Sequence, residues 1–129
     1  MLGCIFFSLL TVSTNAAEAP AVQPRWTNTN SMGFAISFNG NMGYLNTSIT
    51  GLPGTTNNTA DVKLYYKDAN GNWVDTNLSW HYDEDMMLLR KNETFTGVVG
   101  REYKAELTAT VLKDGYREPL SKTATDICD

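Results

Sequence analysis

Apolar and polar side chains alternate along most of this chain with the two-residue period of a half-buried β-strand. The clearest run is Tyr103, Ala105, Leu107, Ala109 and Val111, interleaved with Lys104, Glu106, Thr108 and Thr110. Met32, Phe34, Ile36 and Phe38 alternate in the same way with Gly33, Ala35 and Ser37, and Asn39, Gly40 and Asn41 supply the positive-φ residues of a tight hairpin turn. Leu45, Thr47 and Ile49 carry the period onward until the Gly and Pro residues of 51–58 break it. Ala60, Val62, Leu64 and Tyr66 then face one side, with Asp61, Lys63, Tyr65 and Lys67 on the other, and residues 68–72 turn the chain. Residues 73–80 read as a weaker strand and residues 81–85 as a polar tip. Residues 86–89 and 93–95 form a further strand whose phase is ambiguous around Arg90, Lys91 and Asn92. Asp114 and Gly115 make the favoured two-residue hairpin loop before a last strand over 117–127. Pro119 lacks a backbone donor and places that strand at a sheet edge.

No stretch after Val12 carries a 3.6-residue apolar period. Seven short runs separated by turn signals predict an all-β fold, with a seven-strand antiparallel β-sandwich and a closed barrel as the competing architectures. Tyr103 tips the choice toward the sandwich. It lies a few residues after Gly100 in the penultimate strand, where sandwich domains place a tyrosine whose hydroxyl bonds backbone just upstream. Trp73 is expected in the core and Trp26 over one of its ends, because a sandwich of this size needs large buried aromatics.

The 129 residues allow one domain with a core of its own. Within them, residues 1–19 read as a secretory signal peptide: an apolar run over 2–12, polar residues, then Ala16, Ala17 and Ala19 at the cleavage region. The basic residue that usually precedes such a run is missing, and an apolar first strand is the competing reading. Eleven residues rise about 16 Å as a helix, half of a bilayer core, so no membrane span is expected. The mature domain is then 20–129, secreted. Cys4 leaves with the leader, so Cys128 sits unpaired, either idle at the chain end or linking two chains. A net charge of −4 without a Lys/Arg run argues against nucleic acid as a partner.

Several elements together, Trp26, Thr27 and Asn28, the loop from Ile49 to Thr56, Leu64 to Lys67, Trp73 with Val74, and Tyr103 to Val111 with Asp114 and Gly115, resemble small secreted proteins of Gram-positive bacteria. That resemblance implies an immunoglobulin-like or fibronectin type III-like sandwich with no assigned activity. It also implies a second cysteine at about the position of Leu45, paired with one near the C-terminus, and here that partner is replaced.

Candidate chemistry is sparse. The only histidine, His81, lacks a neighbouring nucleophile motif, and no His/Cys cluster has metal-ligand spacing, so no catalytic residue, cofactor or metal is assigned. Asp83 to Asp85 offer oxygens to calcium, and Asp68, Asn70 and Asn72 echo the start of a calcium loop whose glycine falls one place late; a solvated acidic turn explains the same residues. Trp80, His81, Tyr82, Asp83, Asp85 and Tyr65 are the candidate binding residues, as an aromatic and acidic cluster at one end of the sandwich. The expected function is a non-enzymatic binding module at or outside the cell surface, with a protein or glycan as partner. A carbohydrate-binding module and a self-assembling structural subunit are the alternatives.

Overall fold

The computed structural model describes residues 26–129, so the expected leader, Cys4 included, lies outside the described residues. The alternating runs form seven strands: β1 (Thr29–Asn39), β2 (Met42–Gly51), β3 (Thr55–Lys67), β4 (Trp73–Glu84), β5 (Leu88–Thr96), β6 (Glu102–Lys113) and β7 (Tyr116–Ile127). All pairings are antiparallel, in a three-stranded sheet of order β1-β2-β5 and a four-stranded sheet of order β4-β3-β6-β7. The two sheets stack as a β-sandwich. Residues of one parity from each strand meet between them: Phe34 and Ile36, Leu45 and Ile49, Leu89 and Phe95 from the small sheet, against Val62, Leu64, Leu107, Val111 and Leu120 from the large one. The closed barrel is thereby excluded for the described residues. Trp26 packs against this core, half-buried.

Turn chemistry fixes the registers. Asp114 and Gly115 both have positive φ, 53° and 79°, as a two-residue hairpin of the primed type requires. Gly40, with φ of 60°, sits at the first central position between β1 and β2. Pro119 lies on β7, an edge strand, opposite Thr110.

One end of the core is aromatic. Phe38, Phe95 and Tyr103 form a triangle with centroids 5.4–5.7 Å apart, worth more than their area alone. The Tyr103 hydroxyl accepts the Val98 N–H at 2.8 Å, five residues upstream. Tyr103→Phe removes that acceptor while Val98 stays open to water, so we expect a loss of about 1 kcal/mol in urea unfolding. A loss near zero would mean the bond only decorates the corner.

Cys128 corrects the expectation of an idle chain end. Its carbonyl accepts the Gly100 N–H at 2.6 Å, its N–H donates to the Arg101 carbonyl at 2.8 Å, and its side chain is fully buried with Sγ 3.5 Å from the Gly40 carbonyl. Linking two chains through this sulfur would require opening that end of the sandwich.

Other expectations shift by a few residues. The loop expected over 51–58 ends early, because β3 starts at Thr55 and buries Asn57 and Asn58 as strand residues. The polar tip expected over 81–85 is mostly strand, since β4 runs to Glu84, and the true tip is Asp85, Met86 and Met87.

Candidate functional site

Strand alternation divides the predicted site residues between two faces. In the β3–β4 pairing, Trp80 and Tyr82 stand opposite Val62 and Ala60, which point into the core, whereas His81 stands opposite Asp61, which points out. Trp80 and Tyr82 accordingly pack against the core, each half-buried. The Tyr82 hydroxyl donates to Glu93 Oε2 at 2.7 Å, and desolvation, reinforced by that carboxylate, pushes the phenol well above its ordinary pKa. Trp73 is the reverse correction. It is opposite Lys67 on the outer face, with the Lys67 and Lys104 ammonium groups 5.1 and 4.8 Å from its ring. Lys104 also lies 5.1 Å from the Tyr65 ring, so lysines cover the two outer aromatics. Desolvation first, then the Glu106 carboxylate, raises the Tyr65 hydroxyl above its ordinary pKa. The aromatic cluster expected from the sequence is therefore split, with Trp80 and Tyr82 turned to the core and Tyr65 on the outer face beside Trp73.

The outer face of the four-stranded sheet can be laid out row by row from the register. His81, Asp61, Thr108 and Ser121 form one row across the four strands; Asp83, Thr59, Thr110 and Pro119 form the next. Below them stands the longer pair Lys63 and Glu106, and above them Arg117. Short side chains between rows of long ones leave a trough of two adjoining depressions, about 490 and 400 Å³, which share Asp61 and Thr108. His81 Nδ1 and Asp61 Oδ1 are 2.7 Å apart, with both side chains more than half exposed. Thr59 and Thr110 share a hydroxyl hydrogen bond of 2.6 Å.

At the upper end, Asn57 Nδ2 donates to Asp83 Oδ1 at 2.7 Å and to Asp85 Oδ1 at 2.8 Å, and Arg117 donates to Asn57 Oδ1 at 3.1 Å. An amide thus occupies the space between the two carboxylates. Asp68 Oδ1 accepts the N–H groups of Asn70 and Asn72, both at 2.9 Å, closing its own turn. Among the described residues, no three His, Cys, Asp or Glu side chains converge as metal ligands.

No protein-family model matches the chain, and no curated protein matches it significantly. What the site can do rests on its own residues.

Sequence reasoning missed the most unusual feature of this end. Met86, Met87 and Leu88 are consecutive and 52%, 42% and 37% exposed at the β4–β5 tip. Their backbone is nevertheless held firmly. Fully buried Asn58 donates through Nδ2 to the carbonyls of Met86 at 2.8 Å and Met87 at 3.0 Å, and the Gly51 N–H donates to the Met87 carbonyl at 2.8 Å. Asn58 Oδ1 has no partner among the described residues, which costs about 1–3 kcal/mol. The sequence signal was available in part: Asn58 shares the parity of Ala60, Val62 and Leu64. Among the described residues, no helix is long and apolar enough to cross a membrane.

Proposed function

We propose that this chain is a secreted, non-enzymatic binding module, immunoglobulin-like and specifically fibronectin type III-like, that docks a protein partner at or outside the cell surface through its β4–β5 tip. The fourth strand pairs with the third instead of joining the sheet of the first, second and fifth, which favours the fibronectin type III-like arrangement over the immunoglobulin constant-type order. The pinned, exposed Met86, Met87 and Leu88 carry the functional reading. Covering three half-exposed apolar side chains contributes roughly 3 kcal/mol, and a backbone already fixed loses little entropy on docking. Methionine adapts to irregular pockets. Asp83 and Asp85 flank the tip, so the partner presents an apolar pocket edged with Lys or Arg. Self-assembly through the edges of the four-stranded sheet fits less well, because β4 carries a bulge near Asn77, with φ of 67°, and β7 carries Pro119.

The test compares proteins retained from cell envelopes by the wild type, by Met86→Ser/Met87→Ser, and by Thr123→Ala on the far strand. Retention of a defined protein that the tip variant loses at least tenfold, and Thr123→Ala keeps, is the expected result. Equal retention by all three, with thermal unfolding unchanged, rules the tip out as the docking element.

A further inference from the structure

The trough of two depressions on the outer face of the four-stranded sheet shares no lining residue with the tip, although Asp83 at the end of one row also flanks that tip. Its position follows from the register: Thr108 and Ser121 are short, while Lys63 and Glu106 beside them are long, so the depression is built into the side-chain sizes of four paired strands. Such a floor is rigid, since β3 and β6 are the two central strands of the sheet.

The groups facing the trough alternate between donor and acceptor. Asp61 gives one oxygen to His81 and keeps the other. His81 keeps Nε2, which accepts in the neutral ring and donates in the charged one. Thr108 and Ser121 hydroxyls both donate and accept, and Lys63 adds a donor opposite Glu106. Glu106 is paired with the Lys104 ammonium at 3.3 Å and stands opposite Lys63, and Asp61 shares one oxygen with His81, so the charges at the trough are largely engaged by their own neighbours. The backbone groups of the floor strands β3 and β6 are spent on their ladders, so a peptide lying on the floor cannot join it as an added strand. A ligand with many neutral hydroxyls needs only the side chains present.

We propose that this trough binds a neutral saccharide segment, held by hydrogen bonds to Asp61, His81, Thr108 and Ser121, independently of protein docking at the tip. Two depressions of about 490 and 400 Å³ lie within the size range of small-ligand sites and give room for adjacent sugar units.

The test is an amide-shift titration of the ¹⁵N-labelled protein with six-unit oligomers of glucose, xylose, mannose and N-acetylglucosamine. The expected result is saturable shifts at Asp61, His81, Thr108 and Ser121 with at least one oligomer. Thr108→Arg, which fills the trough from an exposed position, should weaken that binding tenfold or more. Asp61→Asn keeps the shape and should weaken it severalfold, and Met86→Ser/Met87→Ser should leave it unchanged. No saturable shift with any oligomer, shifts mapping to another face, equal shifts from a Gly/Ser peptide of similar length, or full binding by Thr108→Arg would each overturn the proposal.

Discussion

Glu118→Ala is expected to cost about 3 kcal/mol and to loosen the chain's entry into β1. The Glu118 carboxylate is buried at the inner edge of β7 and accepts four hydrogen bonds from one short segment: Thr27 N–H at 2.6 Å, Thr27 Oγ1 at 3.0 Å, Asn28 N–H at 3.0 Å and Thr29 Oγ1 at 2.7 Å. Asn28 completes the clasp by donating to the carbonyls of Val111 and Tyr116 at 2.8 and 2.7 Å. Removing the carboxylate leaves the buried donors of Asn28 and Thr29 and the partly exposed donors of Thr27 without their acceptor, and it frees the segment that lays Trp26 on the core. A thermal-unfolding midpoint lower by roughly 12 °C is the corresponding readout for a domain of this size.

The same group gives the protein an acid limb of known sign. Burial pushes the Glu118 carboxyl up, but the donors from Thr29, Thr27 and Asn28 together outweigh it and hold the group below its ordinary value of 4.5. A folded-state pKa below the unfolded one means that the unfolded chain takes up the proton first as pH falls. The stabilisation is complete above about 4.5 and is lost as pH drops through the lower folded-state value. Glu118→Gln cannot titrate, so its midpoint should fall less steeply between pH 5 and 3 than that of the wild type. Parallel acid limbs for the two proteins would show that the clasp does not hold the charge.

The alternation of apolar residues was enough to place all seven strands, because a period of two is a local property of each strand, whereas the choice of sandwich over barrel rested on Tyr103. What the period could not supply was long-range. Glu118 shares the parity of Leu120, so its inward direction is readable, but its donors lie about ninety residues earlier and only the closed fold brings them together. Trp80, His81 and Tyr82 show the opposite situation. Consecutive strand residues cannot share a face, and Val74, Trp80 and Tyr82 outweigh Asp75, Ser79 and His81 in hydrophobicity, so the inward turn of Trp80 was legible. Trp73 then follows on the outer face. The bulge at residues 76–78 inserts two residues, which leaves this parity intact. Asn57 and Asn58 read as turn residues by type, and their strand role depends on where β4 and the tip return.

Gly43→Ala should destabilise by about 3 kcal/mol, against the usual direction for such a change. Gly43 lies within β2 and is not among the glycines of positive φ, so alanine fits its backbone and would ordinarily stabilise by about 0.4–1 kcal/mol through the unfolded chain. Packing reverses the sign. Phe95 is the direct cross-strand partner of Gly43, and its ring lies flat where a Cβ would stand, so the two groups collide. The ring cannot retreat easily, because Phe38 and Tyr103 hold it at centroid distances of 5.5 and 5.7 Å. Shortening the ring should therefore relieve the methyl. In a double-mutant cycle, Phe95→Leu alone loses about 1–2 kcal/mol of aromatic packing, yet Gly43→Ala/Phe95→Leu should be more stable than the sum of the two losses by at least 1 kcal/mol. Additive losses would mean that the ring is not what excludes a side chain at position 43.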